Sequence, residues 1–263
     1  MNRIENLFQI KQSQGKAALI LYLTAGFPDM ETTEAIIPAL EKAGADLIEL
    51  GIPFSDPIAD GPTIQKASTS SLKAGTTLRK IFALVKRLRK KTQIPLLLFS
   101  AYNPFYKYGL DGLVEKCARI GIDGLLVPDL PPEEAKRFIT LCDKAGVSHV
   151  FLIAPTTPPD RARSIIEKSS GFIYYISTRG VTGARDQLDK SIGSHISHLH
   201  RLTDKPIAVG FGISRPEHVS LLKNKVEGIV VGSALIREIE KGKNIADRVK
   251  RASRYTRSLS LSL

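Results

Sequence analysis

The strongest constraint on this chain is a recurrence. Eight short, almost continuously apolar runs return along its length: Ala18–Leu23, Leu47–Ile52, Ile94–Ser100, Gly124–Pro128, His149–Ala154, Phe172–Ser177, Pro206–Gly210 and Gly228–Gly232. Runs of this length without polar alternation are the mark of parallel strands covered on both faces. Stretches with helical periodicity separate them. The helix-to-strand joints are written alike, EKAGADLIEL, ARIGIDGLLV and DKAGVSHVFL, with Gly44, Gly121 and Gly146 placed where a left-handed residue closes a helix. Proline follows several runs, at Pro28, Pro53, Pro104, Pro128 and Pro155, and turns the chain into a loop.

Repeated strand–helix units of this number predict a closed (β/α)8 barrel. An open doubly wound sheet has the same strand count and stays as the alternative. With 263 residues and no linker or compositional break, the expectation is a single domain over 1–263. Its barrel core would span about 16–240, after an extra N-terminal helix at 1–14 whose Ile4, Leu7 and Phe8 could plug the barrel bottom. A C-terminal helix and tail would occupy 241–263, with SLSLSL read as a fraying end. Pro38 interrupts the first long helical stretch, so a kink or late helix start is expected there.

Composition matters mainly for what it excludes. The net charge of +12 invites a nucleic-acid reading. In its densest basic stretch, TLRKIFALVKRLRKK, however, Leu78, Ile81, Phe82, Val85 and Leu88 recur at helical spacing, which describes a core-docked helix with a solvated basic face. No apolar run is long enough to span a membrane, and the N-terminus lacks a secretory pattern. Cys117 and Cys142, both in helical patterns, read as core thiols and fit a cytoplasmic location.

The chemistry centres on LIELGIPFSDPIADGP, Leu47 to Pro62. Glu49 stands near the end of an apolar strand, and alternation makes it share a face with Leu47. A carboxylate turned toward the helical shell would be buried among aliphatics, so the barrel mouth is its better place. A structural carboxylate paired with Arg or Lys is the plainer alternative. Asp56 and Asp60 follow in a proline-stiffened loop where aspartate is also a common turn former. Asp60 can fold back toward Glu49, and two carboxyl groups over one apolar pocket can divide acid and anion roles.

Other routes to carbon–carbon cleavage lack their parts. No strand run contains a lysine for a Schiff base, and HISHLH (His195, His198, His200) lies far from the strands, so no metal site is expected. Cofactor-free acid–base chemistry remains. Glycine-rich segments GVTGAR, GFGIS and GSAL follow the last three strands, where many barrels hold phosphate, although glycines there also serve as tight turns.

These motifs, together with AYNPFYKYG, VPDLPPEE and APTTPPDR in the same order and spacing, resemble the α subunits of tryptophan synthase from about residue 15 to 240. The resemblance implies a TIM barrel lyase that cleaves indole-3-glycerol phosphate to indole and glyceraldehyde 3-phosphate by a retro-aldol reaction. Glu49 falls on the family's general acid/base and Asp60 on its second catalytic carboxylate. Tyr22, Tyr102, Tyr174 and Phe211 match substrate-pocket positions, and Thr182 the mobile-loop threonine. Gly183, Gly212, Gly232 and Ser233 match phosphate-binding positions. Tyr22 departs from the usual phenylalanine, and ISTRGVTG departs locally from the arginine-containing pattern. The resemblance further implies an α2β2 complex with a β subunit that carries pyridoxal phosphate, this chain having no cofactor of its own. Asp56, Asn103 and Pro104 lie where the family meets that partner. A different phosphosugar barrel enzyme, a weakly active allosteric activator of a β subunit, and a stand-alone indole-releasing lyase are the competing readings.

Overall fold

The computed structural model describes residues 2–57, 60–176, 192–210 and 212–263. Strands β1 (Ala18–Thr24), β2 (Leu47–Gly51), β3 (Leu96–Phe99), β4 (Gly124–Leu126), β5 (Ser148–Val150), β6 (Leu152–Ile153), β7 (Ile173–Ile176), β8 (Ile207–Gly210) and β9 (Gly228–Val231) form one parallel sheet. Its order is β5-β4-β3-β2-β1-β9-β8-β7-β6. β5 and β6 are two parts of one stave, interrupted at Phe151, so the sheet returns on itself as an eight-stave barrel closed between β1 and β9. The open-sheet alternative is thereby excluded.

Around it lie α1 (Arg3–Ser13), α2 (Met30–Lys42), α3 (Pro62–Lys73), α4 (Leu78–Leu88), α5 (Tyr102–Tyr108), α6 (Leu110–Ile120), α7 (Lys136–Ala145), α8 (Pro159–Lys168), α9 (Ile192–His200), α10 (Pro216–Leu222), α11 (Ser233–Glu240) and α12 (Ile245–Ser260). Gly121 and Gly146 close α6 and α7 with φ of 86° and 66°, a region where a Cβ is strained. Helix α2 starts at Met30, where the Asp29 side chain accepts from Thr32 N, and it continues through Pro38. Of the two outcomes expected at Pro38, a kink or a late start, the late start does not occur: the N-terminal cap sets the start, and the proline lies inside the helix.

Alternation along the strands divides the core in two. Leu19, Leu21, Ile48, Leu50, Leu96 and Leu98 face outward onto the helices, while Ala18, Ile20, Leu47, Leu97, Leu126, Val150, Ala208 and Val230 fill the interior. Helix α1 plugs the bottom with Ile4 and Phe8, which belong to the interior cluster. Phe8 meets Phe172 with ring centroids 5.3 Å apart. A methyl on Gly124 would lie 2.7 Å from Ile4 Cδ1, so that glycine makes room for the plug.

The bottom rim uses one device repeatedly: the residue ahead of one strand caps the first free amide of its neighbour. Asp46 Oδ2 accepts from Leu19 N, Asp123 Oδ2 from Leu96 N, Ser170 Oγ from His149 N and Glu227 Oε2 from Ile207 N, each at 2.8 Å. Asp123 also holds Arg3 at 2.9 Å and Arg89 at 2.8 Å, so part of the basicity of the α4 region is used inside the fold. The expected fraying tail is corrected as well. RVKRASRYTRSLS belongs to α12, which packs against α2, α10 and α11 and buries Ala252, Thr256 and Leu259. Those three recur at helical spacing, which outweighs the polar composition of the segment. Cys117 and Cys142 are buried free thiols.

Candidate active site

Glu49 is placed by β2 on the interior face, in register with Tyr22 of β1 and Leu97 of β3. Its side chain is 1% exposed, and among the described residues neither carboxyl oxygen has a hydrogen-bond partner. No Arg or Lys pairs with it, so the structural ion-pair alternative fails among those residues. Burial pushes its pKa up to about 8, since the low-dielectric interior disfavours the anion. At neutral pH it is a protonated acid.

Asp60 ends the loop leaving β2, just ahead of Gly61 and the Pro62 that opens α3. Its backbone anchors the turn: Asp60 N donates to Pro57 O at 3.0 Å, and Gln65 Nε2 donates to Asp60 O at 2.8 Å. Partial burial raises its pKa to about 6, leaving it mainly anionic at neutral pH. Both carboxylates act on the ionisation of Tyr22, so the loop does bring Asp60 back toward the mouth where Glu49 sits. Burial raises the two groups unequally, so their pKa values lie apart.

Aromatic rings wall this slot. Tyr22 packs edgewise on Phe99, centroids 5.6 Å apart at 85°, and its Cβ would lie 3.3 Å from a methyl at Gly232. A methyl at Gly51 would run into the Tyr22 phenol, and one at Gly210 into the Tyr174 phenol; both glycines are clearances for rings. Burial raises the pKa of both phenols, and the Glu49 charge adds to that effect, so Tyr22 and Tyr174 share its surroundings.

Next to the ring of Tyr22 the chain passes from β9 into α11. Gly212 takes φ +83°, a conformation that favours glycine. Gly232 precedes α11, whose first turn begins with the buried Ser233 and has no side-chain cap hydrogen bond. Phe211, Thr182 and Gly183 lie outside the described residues. Tyr102 is held by its amide, which donates to Asp129 Oδ1 at 2.8 Å, and its ring packs on Tyr106 and against the outer apolar layer. At the rim, Asp56 and Asn103 are exposed and Pro104 is half-buried.

Three contributors were absent from the sequence reading. Phe99 was legible in principle, because strand alternation puts it on the face of Leu97. Asp129 and Tyr255 were not: they act through contacts distant in sequence. Tyr255 Oη reaches from α12 to Ser214 O at 2.9 Å and braces the loop that contains Gly212. Among the described residues no cluster of metal-ligating side chains occurs, and no helix is long and apolar enough to cross a membrane.

Comparison with known proteins assigns this arrangement to a family. A "Tryptophan synthase alpha chain" family model matches residues 8–261. A tryptophan synthase alpha chain from Geotalea daltonii is 49% identical over 240 residues, 91% of each chain. Among solved structures, the tryptophan synthase subunit alpha of Legionella pneumophila superposes with a TM-score of 0.92 at 31% identity, covering 100% of this chain and 98% of the other. A chain of Mycobacterium tuberculosis tryptophan synthase gives 0.92 at 32% identity, covering 99% and 98%. A barrel closed over a protonated glutamic acid, with this degree of likeness along nearly its whole length, belongs to the tryptophan synthase alpha chain family.

Proposed function

We propose that this chain is a carbon–carbon lyase that cleaves indole-3-glycerol phosphate to indole and glyceraldehyde 3-phosphate. The observation that carries the reading is Glu49: a buried carboxyl group with no hydrogen-bond partner among the described residues, its pKa raised to about 8 by burial, beside Asp60 with a pKa of about 6. Glu49 gives its proton to the indole ring carbon that bears the side chain. Asp60 accepts the indole N–H and stabilises the positive charge that grows on the ring. The Glu49 carboxylate then takes the proton of the adjacent side-chain hydroxyl as the carbon–carbon bond breaks. Indole is released, the hydroxyl carbon becomes the aldehyde, and Glu49 regains its acid form. Tyr22, Tyr102, Tyr174 and Phe211 enclose the ring, Thr182 closes against Asp60, and Gly183, Gly212, Gly232 and Ser233 receive the phosphate end.

The exposed Asp56 and Asn103 with the half-buried Pro104 form the contact with a β subunit in an α2β2 assembly, to which indole is passed for tryptophan synthesis. Pyridoxal phosphate belongs to that subunit; this chain works without a cofactor or metal, in the cytoplasm. The test is cleavage of indole-3-glycerol phosphate by purified chain with and without added β subunit. Glu49→Gln abolishes turnover while retaining substrate binding, because an amide cannot cycle the proton. The profile of kcat/KM is bell-shaped, falling below about pH 6 as Asp60 protonates and above about pH 8 as Glu49 ionises. Undiminished cleavage by Glu49→Gln refutes the reading.

A further inference from the structure

The chain leaves β8 at Gly210, where a methyl would strike the Tyr174 phenol, and enters α10 at Pro216. The loop between them carries Gly212 and so starts at the wall of the slot. A loop has no ladder of backbone bonds to fix it, and its precision comes from other contacts. Two side chains from later elements meet it at one residue. The buried His218 of α10 accepts through Nδ1 from Ser214 N at 3.3 Å. Tyr255 of α12 donates from Oη to Ser214 O at 2.9 Å. With Nδ1 as acceptor, the imidazole proton lies on Nε2. Burial raises the Tyr255 pKa, so the phenol keeps the proton that it donates. Phenylalanine at 255 and leucine at 218 would serve packing alone, without the two polar atoms that meet Ser214. Helix α12 also packs on α11, the helix that Gly232 and Ser233 open. One C-terminal helix therefore backs both segments to which the phosphate end is assigned.

We propose that Tyr255 and His218 are positioning residues for the phosphate end of the substrate: by gripping the carbonyl and the amide of Ser214 they hold Gly212 where its backbone meets the anion. The inference rests on the proposed assignment of Gly212 to the phosphate. The two side chains act on binding of the phosphate and not on the proton transfers of Glu49.

The test reads binding apart from turnover. Full-length chain is titrated with glycerol 3-phosphate, which carries only the phosphate end, and separately with indole. Tyr255→Phe weakens glycerol 3-phosphate about three- to tenfold, the worth of one hydrogen bond, and leaves indole binding unchanged. Unchanged glycerol 3-phosphate affinity overturns the proposal, as does an equal loss of both ligands, which marks a generally loosened fold. His218→Asn keeps an acceptor at the place of Nδ1 and retains the affinity, whereas His218→Leu loses it. Equal affinities of these two variants overturn the part given to His218. In wild type, 15N NMR at mildly alkaline pH finds His218 protonated on Nε2 and bare on Nδ1, a readout that needs no variant; the opposite tautomer cannot accept from Ser214 and counts against the grip. In turnover, Tyr255→Phe raises KM for indole-3-glycerol phosphate by the same factor while kcat stays within about twofold. A fall in kcat with unchanged KM refutes a role in phosphate binding. Wild type that binds glycerol 3-phosphate without cleaving indole-3-glycerol phosphate refutes the lyase reading, and the binding comparison still decides this one. Wild type that cleaves it but does not bind glycerol 3-phosphate overturns this proposal and leaves the lyase reading standing.

Discussion

Replacing Glu49 with glutamine should stabilise the protein, and the size of the effect should depend on pH. In the unfolded chain the carboxyl group titrates near 4.5; in the fold, burial pushes it to about 8. Between those values the folded state binds a proton that the unfolded state does not. Stability therefore falls as pH rises through this window, and it is fully recovered below pH 4.5. The displacement corresponds to about 5 kcal/mol at the alkaline end, as an upper figure, because a buried charge draws in water and relaxes its surroundings. Glutamine has nearly the same shape and cannot ionise, so it escapes this penalty. If half of it is realised, about 2–4 °C per kcal/mol for a domain of this size puts Glu49→Gln about 5–10 °C above wild type in Tm at pH 8.5. Near pH 5 the two proteins should melt together. Calorimetry or dye-based melting at several pH values across this range measures the difference. A gap that does not grow with pH, or a variant less stable than wild type at pH 8.5, would refute the claim that burial, unrelieved by a partner among the described residues, holds Glu49 in its acid form. The outcome also has a functional meaning: a chain that keeps an acid here accepts a weaker fold at alkaline pH.

Three further expectations concern parts of the frame. Gly51→Ala places a methyl against the Tyr22 phenol; overpacking of this kind should cost about 1–3 kcal/mol in chemical denaturation and raise KM, whereas an unaltered KM would mean the ring has room to move. Asp123→Ala removes the carboxylate that joins Arg3, Arg89 and the Leu96 amide, leaving a half-buried guanidinium unpaired. A loss of about 3–5 kcal/mol is expected by urea unfolding, and a loss below about 1 kcal/mol would make the bottom-rim cap dispensable. Leu259→Ala should destabilise by about 2–5 kcal/mol, since this side chain is fully buried where α12 docks; near-neutral behaviour would restore the frayed-tail reading.

What the sequence determined by itself was local and periodic. Unbroken apolar runs identify double-covered strands because both faces of each stave must leave water. Glycine at 121 and 146 marks helix ends because few other residues tolerate that backbone conformation. The parity of Leu47, Glu49 and Gly51 is a property of any extended chain, so Glu49 could be assigned to the interior before any coordinates. The failures have the same origin. The fraying expected at SLSLSL follows from its polar composition, but Leu259 is buried in α12, a helix that packs on α2, more than two hundred residues away in the chain, and on α10 and α11. Pro38 suggests a boundary locally, while the Asp29 cap and the packing of α2 keep that helix whole.

Only the tertiary structure decided closure, charge state and company. Closure is a pairing of β1 with β9, between the first and last strands, and no local pattern encodes it. Glu49 and Asp60 are ordinary carboxylic acids in the sequence; unequal burial in the fold pushes the pKa of one to about 8 and of the other to about 6. Tyr22 and Tyr174 become walls because Gly51 and Gly210 on neighbouring staves leave room for their phenols. The Tyr255 brace and the amide caps of the bottom rim likewise join residues that the chain keeps apart. Electrostatic free energy depends on what surrounds a group in three dimensions, and that environment is assembled only when distant segments meet.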